Sequence, residues 1–234
     1  MRRPELVLAL ALWGATAMAH ADPIDLKPFK ATYTAEWKGL TAATSTVELT
    51  KSGGDTYTYS SVNTARGLFR MAFPDALTQI STFKLVAGRV VPLNFRGIDE
   101  KDRPIDLTFD WDKKRVTGTA KEKAVDLEVP EGTQDAMSLQ IASMRNIASG
   151  KLQPTAWMID ATKLKDYEMT LEGNARIDTE LGELDTVVYT SRRPNSDRLT
   201  RTWVAPVLGY LPVKAESVRG KKVEVSLKIQ SVDR

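Results

Sequence analysis

Alternation of apolar and polar residues with a period of two is the feature that most constrains how this chain can fold. It is clearest over residues 223–230, where Val, Val, Leu and Ile alternate with Glu, Ser, Lys and Gln. Segments 32–37, 56–60 and 105–111 follow the same rule. Successive side chains of a strand point to opposite faces, so each segment predicts a strand with one buried and one wet face. Such half-buried strands are typical of antiparallel sheets.

Turn-forming residues separate these runs at short intervals. They occur at 52–55, 87–89, 112–114 and 219–221, each containing Gly or a cluster of charged residues. Short strands joined by such turns predict an antiparallel meander of about ten to twelve strands.

One segment has a helical period instead. Its apolar residues recur at three- or four-residue steps: Met137, Ile141, Met144, Ile147 and Ala148. Thr133 suits the N-cap, and Gly150 ends the pattern, so a helix is predicted over Asp135–Ala148. A shorter helix candidate at 161–167 lacks an apolar stripe. The predicted fold is mainly β: an antiparallel meander forming a curled sheet or unclosed barrel, with one central helix packed on the concave face.

The first 21 residues predict export. Arg2 and Arg3 precede a short apolar run at 6–13, and Ala19-His20-Ala21 forms a cleavage pattern. We therefore predict a cleaved secretion signal at 1–21, a single β-rich domain at 22–234, and a periplasmic location. No apolar run is long enough for a transmembrane anchor, which needs about 20 residues.

Composition excludes several classes of site. The chain contains no cysteine, and its single histidine, His20, leaves with the signal. Ser-His-Asp and Cys-His catalysis and His or thiolate metal sites are therefore excluded from the mature chain. We predict no enzyme activity, no catalytic residue, no metal and no cofactor. The mature formal charge is +2 with interleaved signs, which argues against a nucleic-acid partner.

The order of elements resembles the exported bacterial family catalogued as domain of unknown function 3108. The resemblance spans nearly the whole mature chain, and these residues carry it: Tyr33, Gly67-Leu68, Gly88, Pro92, Phe95, Phe109-Asp110, Gln134-Asp135, Ser138, Leu181-Gly182, Trp203, Ala205-Pro206 and Leu211-Pro212-Val213. It implies an exported protein with a β-rich fold and no assigned activity. The closing pattern W-x-A-P…L-P-V-K…G-K-K-V-E-V also looks like the late strands of periplasmic lipoprotein carriers with an unclosed barrel.

Candidate ligand-binding residues come from three places. Segment 65–77 (ARGLFRMAFPDAL) fits neither period, so Leu68, Phe69 and Phe73 predict a flap over a cavity or a lipid-facing loop whose arginines meet anionic headgroups. The alternative is a connection that closes one end of the core. Trp37 is an inward-facing aromatic residue. Gln134-Asp135 predicts either a ligand contact at the start of the helix or helix capping alone.

Two charged clusters have competing interpretations. The acidic residues Asp99, Glu100 and Asp102 suit a carboxylate-dependent hydrolase or a solvated hairpin tip. Segment 192–201 carries four arginines, which suit phosphate or lipopolysaccharide binding or a hydrated hairpin end.

Three functional hypotheses follow. The first is a non-catalytic binding or carrier module for an apolar or lipid-like ligand in envelope maintenance. The second is a scaffold that recruits an envelope protein partner through a sheet edge. The third is a carboxylate-dependent envelope glycan hydrolase.

Overall fold

The structure is a computed structural model that describes residues 26–99 and 101–234. The predicted signal at 1–21 and the acidic residue Glu100 lie outside the described residues. The described part folds into one antiparallel sheet of fourteen strands with one main helix, which confirms the predicted fold class. No helix in these two ranges combines the length and apolar character needed to cross a membrane.

The first eight strands form a meander. They are β1 (Phe29–Trp37), β2 (Leu40–Gly53), β3 (Thr56–Ala65), β4 (Leu77–Val86), β5 (Arg89–Ile98), β6 (Pro104–Asp110), β7 (Arg115–Ala120) and β8 (Lys123–Glu128). A four-residue helix, α1 (Phe69–Ala72), lies between β3 and β4. The predicted turns at 52–55, 87–89 and 112–114 are confirmed, because each falls between two of these strands.

The second meander follows the main helix, α2 (Ser138–Ala148). Its strands are β9 (Thr155–Asp160), β10 (Lys163–Thr179), β11 (Gly182–Arg192), β12 (Arg198–Ala205), β13 (Leu211–Arg219) and β14 (Lys222–Asp233). A 3-10 turn, Pro206–Leu208, precedes β13. One prediction is wrong here, since fourteen strands exceed the ten to twelve expected. The weaker helix candidate at 161–167 lies largely in β10, where Leu164 pairs with Ile159 of β9.

The two meanders join along the middle of the sheet, where β1 pairs with β14. The strand order therefore runs β8 to β1 and then β14 to β9, with β8 and β9 at the edges. We call the end of the sheet that carries α1 the α1 end. The opposite end, where the chain enters β1 and leaves β14, is the terminal end.

The main helix fills the terminal half of the concave side. Ile141 is fully buried in the same cluster as Tyr59 and Phe83, so the predicted apolar stripe is core. At the terminal end, the Arg145 guanidinium donates to the Gly88 carbonyl at 3.0 Å. The prediction that Thr133 is the N-cap of the helix is wrong, because its hydroxyl donates instead to the Pro130 carbonyl at 2.8 Å.

Gly118 in β7 is required by a close approach of two strands. It adopts φ +143°, and a Cβ there would lie 2.0 Å from the carbonyl oxygen of Asp106 in β6. We expect Gly118→Ala to lower the free energy of unfolding by about 1–3 kcal/mol, because the neighbouring backbone must shift. Gly173→Ala is the matched control: this strand glycine also has a positive φ, but nothing lies within 4 Å of its Cβ position. Urea unfolding that shows equal losses for the two variants would contradict the steric argument.

Candidate functional site

The inward side chains in the α1 half of the concave side are smaller or more polar than those in the helix-filled half. Small or polar residues occupy its inward positions on β2, β3 and β4: Ala43, Ser45, Ser61, Asn63, Gln79 and Ser81. A cavity of about 210 Å³ opens at this end. Its lining combines apolar residues such as Leu77, Ile98 and Ile159 with the amides of Asn63 and Gln79. The charged residues Asp99, Lys121 and Asp160 also line it. Small and polar inward residues therefore surround this cavity at the α1 end.

An apolar rim stands at this open end. We give this name to Trp37, Leu40, Leu68, Phe69, Met71 and Phe73. Leu68 is 83% exposed, Met71 85% and Leu40 63%, and α1 contributes no buried residue. The Phe69 ring meets the Trp37 ring edge-to-face, with centroids 5.9 Å apart. Segment 65–77 buries little apolar surface, so the structure does not support the alternative that this segment closes one end of the core.

The connection that carries the rim starts and ends at the cavity. Asn63 near the end of β3 pairs with Leu77 at the start of β4, and both residues line the cavity. Trp37 shares a face with the buried Tyr33 because the two are four positions apart in β1 and keep register with β14. The structure thus places Trp37, Leu68, Phe69 and Phe73 together.

Cationic side chains flank the rim. The Lys38 ammonium lies 4.4 Å from the centroid of the Trp37 ring, a cation–π contact. The Arg66 guanidinium donates to the Thr44 hydroxyl at 2.8 Å, and Arg70 is exposed on α1. Three basic side chains therefore adjoin the apolar rim.

Asp135 holds the start of α2 to the sheet. One carboxylate oxygen accepts hydrogen bonds from the backbone N–H groups of Met137 and Ser138, both at 2.8 Å. The other accepts from the Ser81 hydroxyl of β4 at 2.6 Å. The carboxyl is fully buried, and this burial raises its pKa, although the hydrogen bonds from Ser81 and Ser138 oppose the rise. The geometry is that of a buried helix cap.

Gln134 joins the two meanders across the gap between β8 and β9. Its backbone N–H donates to the Trp157 carbonyl, and its carbonyl accepts from the Ile159 N–H, both at 2.9 Å. Its side-chain amide donates to the Val90 carbonyl of β5 at 3.0 Å. The amide oxygen has no hydrogen-bond partner among the described residues. Gln134 also lines an open groove of about 610 Å³ between α2, β9 and the β4–β5 turn.

The structure therefore separates the predicted site residues into two groups. The four rim residues lie at the α1 end, whereas Gln134 and Asp135 hold the helix entry inside the fold. Ligand contact by these residues stays a prediction. Sequence reasoning missed Leu40 and the cavity residue Gln79. The sequence does contain a signal for Leu40. It is an apolar residue directly after the Lys38-Gly39 turn, so it lies at the end of a strand and not in its buried middle.

Asp99 organises a turn rather than an acid pair. Its side chain is 3% exposed and accepts from the Arg103 guanidinium at 2.9 and 2.6 Å. Its other oxygen accepts from the backbone N–H groups of Lys101 and Arg103. These hydrogen bonds, led by those from the Arg103 side chain, hold the pKa of the carboxyl well below its usual range. Within 26–99 and 101–234, acidic side chains form no group of three or more suited to a metal ion.

Ion pairs neutralise three of the four arginines in segment 192–201. Arg192 contacts Glu168 at 2.8 Å, and Arg198 contacts Glu224 at 2.6 Å. Arg201 forms a two-pronged pair with Glu172 at 2.7 and 3.0 Å. This arrangement matches the hydrated hairpin interpretation better than an anion site, since the guanidinium donors already face carboxylates.

Comparison with known proteins supports the fold. The profile of the family described as protein of unknown function (DUF3108) matches residues 32–225. A search of curated proteins gave no match. The beta-barrel-like protein of domain of unknown function DUF1849 from Brucella abortus superposes with a TM-score of 0.58 at 12% identity, covering 88% of this chain and 97% of that one. An exported protein with a YmcC-like fold from Bacteroides fragilis gives a TM-score of 0.41 at 8% identity, covering 88% and 95%. At such identities the likeness concerns the fold alone.

Proposed function

This chain belongs to the DUF3108 family, and we propose that it is an exported, non-catalytic protein that binds or carries an apolar, lipid-like molecule in the cell envelope. The observation that carries the proposal is the apolar rim, which stays exposed beside the cavity at the α1 end. Small-molecule sites are concave and mostly apolar, with a few polar groups that orient the ligand. Here the exposed apolar surface is supplied by the rim, and the cavity beside it supplies polar groups: the amides of Asn63 and Gln79 and the charged side chains of Asp99, Lys121 and Asp160.

The proposed location is the periplasm, with the chain cut after Ala21. Its support is the signal-like sequence of residues 1–21. The mature product would then begin at Asp22.

The chemistry of the carboxyl groups supports a non-catalytic role. A glycan hydrolase needs a general acid with a raised pKa next to its substrate. The pKa of Asp99 is lowered by Arg103, which is opposite to that need. The pKa of Asp135 is raised, but the residue is fully buried and its oxygens bond within the protein. Neither carboxyl offers a proton to a substrate.

The test is to purify the protein from the periplasm without detergent and analyse it by mass spectrometry. We expect a mature chain starting at Asp22 and a co-extracted lipid or other apolar compound. In the double variant Phe69→Ser/Phe73→Ser, we expect retention of that compound to fall severalfold. The melting temperature should change little, because Phe73 is exposed and α1 buries no residue. The control is Val207→Ser, an exposed apolar position at the terminal end.

Two results would count against the proposal. A protein recovered without any apolar compound, and unable to take one up when lipid is added, contradicts a carrier. A sharp fall in melting temperature with retention unchanged would mean that the two rings belong to the core.

A second candidate function is a scaffold, which one observation favours. Strand β8 pairs on one side with β7 and forms an edge of the sheet, so an extended segment of an envelope protein partner has main-chain groups to bind. Repeated recovery of one partner with a ligand-free protein would support this function over the carrier.

A further inference from the structure

The apolar rim is exposed to solvent on two connections at the α1 end of the sheet. Leu40 follows the β1–β2 turn, and Leu68 and Met71 lie on the β3–β4 connection, so both projections are at the α1 end. All three side chains are more than half exposed. Large apolar side chains seldom cluster on a protein surface in this way unless they form a binding site for a protein, a ligand or a membrane.

Most of the charged residues next to the rim are basic. Lys38, Arg66 and Arg70 flank it, and Asp75 is the one acidic residue in segment 65–77. Trp37 and Phe69, two aromatic members of the rim, are in contact with each other. Exposed apolar side chains, aromatic rings and neighbouring cations are the groups that bind the acyl boundary, the interface and the anionic headgroups of a bilayer.

From this arrangement we propose that the apolar rim docks onto a lipid bilayer that is rich in anionic headgroups. Leu40, Leu68 and Met71 enter the acyl boundary, and Lys38, Arg66 and Arg70 contact the headgroups. A second copy of the chain is a poorer occupant, because face-to-face docking would bring the same cations together. The inference rests on the proposed function, since docking here would place the cavity entrance against the source of the lipid.

Vesicle co-sedimentation of the mature protein tests the proposal. We expect binding to vesicles of equal parts phosphatidylglycerol and phosphatidylcholine, and much weaker binding to phosphatidylcholine alone. High salt should weaken binding severalfold, since each basic residue near an anionic surface raises affinity about fivefold.

Matched variants separate the rim from the rest of the surface. We expect Leu68→Ser/Met71→Ser to weaken vesicle binding by about tenfold or more, because apolar area no longer enters the bilayer. Arg70→Glu should weaken binding by a similar factor, because it replaces an attraction by a repulsion. Val207→Ser and Lys27→Glu change an exposed apolar and an exposed basic residue at the terminal end, and they should bind like the parent.

Several outcomes would overturn docking on anionic lipid. These are no sedimentation of the parent protein, equal binding to the two vesicle types, or equal losses in the terminal-end controls. Self-association that disappears in Leu68→Ser/Met71→Ser would instead assign the rim to a second copy. A protein that carries a co-extracted lipid but does not bind vesicles would contradict this inference and leave the proposed function standing. A protein that binds vesicles but never carries lipid would contradict the proposed function and leave membrane docking standing.

Discussion

Replacing Ile141 by Asp should leave the protein largely unfolded. The side chain has no exposed surface and lies in the core that α2 forms with the sheet, together with Tyr59 and Phe83. A carboxylate there would be buried without a partner, so we expect a loss of more than about 4 kcal/mol in the free energy of unfolding. Circular dichroism in a urea titration measures this loss, and Ile141→Val should cost only about 1 kcal/mol.

The control for this charge is Asn146→Asp on the same helix. Asn146 is partly exposed and lines the open groove beside α2. A carboxylate at this position stays in contact with water, so we expect a loss below about 1 kcal/mol, arising mainly from its place near the helix C-terminus. Similar stability for Ile141→Asp and the parent would mean that α2 does not pack into the concave face.

The second large effect is expected for Asp135→Ala. The change removes the acceptor for three buried donors, the N–H groups of Met137 and Ser138 and the hydroxyl of Ser81. Buried donors without partners cost about 1–3 kcal/mol each, although part of this cost is relieved by relaxation. We therefore expect a loss of about 3–5 kcal/mol in urea unfolding.

Asp135→Asn is the matched variant, because it keeps an oxygen for the two backbone donors while losing the titration. The pKa of Asp135 is raised above its ordinary value of 3.8 by burial, so the folded state binds this proton more tightly than the unfolded state. The stability that this group contributes is therefore fully present below 3.8 and declines as pH rises through the raised pKa. We expect Asp135→Asn to remove that decline. Equal stability of the Ala and Asn variants at every pH would contradict the capping role.

Local patterns of apolar and polar residues predicted much of the fold. Alternation at 105–111 predicted β6, whose inward residues Ile105, Leu107 and Phe109 are all buried. The stripe through Ile141 and Met144 predicted α2 because a helix brings residues three or four apart to one face. The mixed period of 65–77 left both a flap and a core-closing connection open, and the structure places Leu68, Phe69 and Phe73 on the rim.

The remaining features depend on contacts between distant parts of the chain. β7 (RVTGTA) was not recognised as a strand, since its buried residues are only Val116 and Ala120 and pairing with β6 forms it. The sequence offers both Thr133 and Gln134-Asp135 as helix caps, and the structure confirms capping by Asp135. Its second oxygen accepts from Ser81 of β4, a residue 54 positions away. The role of Gln134 between the two meanders was invisible for the same reason: nothing in its sequence neighbourhood shows that Val90 and Trp157 lie beside it.

The pairing of β1 with β14 also has a consequence for how the protein is made. Glu36 and Lys228, an ion pair on these strands, are 192 positions apart. The centre of the sheet therefore cannot form while the chain is still being synthesised, because its fourteenth strand is made after the others. Until then, two half-sheets each present an unpaired central edge, which makes them targets for aggregation or for a chaperone. Closure between such distant strands also slows folding, so the complete sheet forms late.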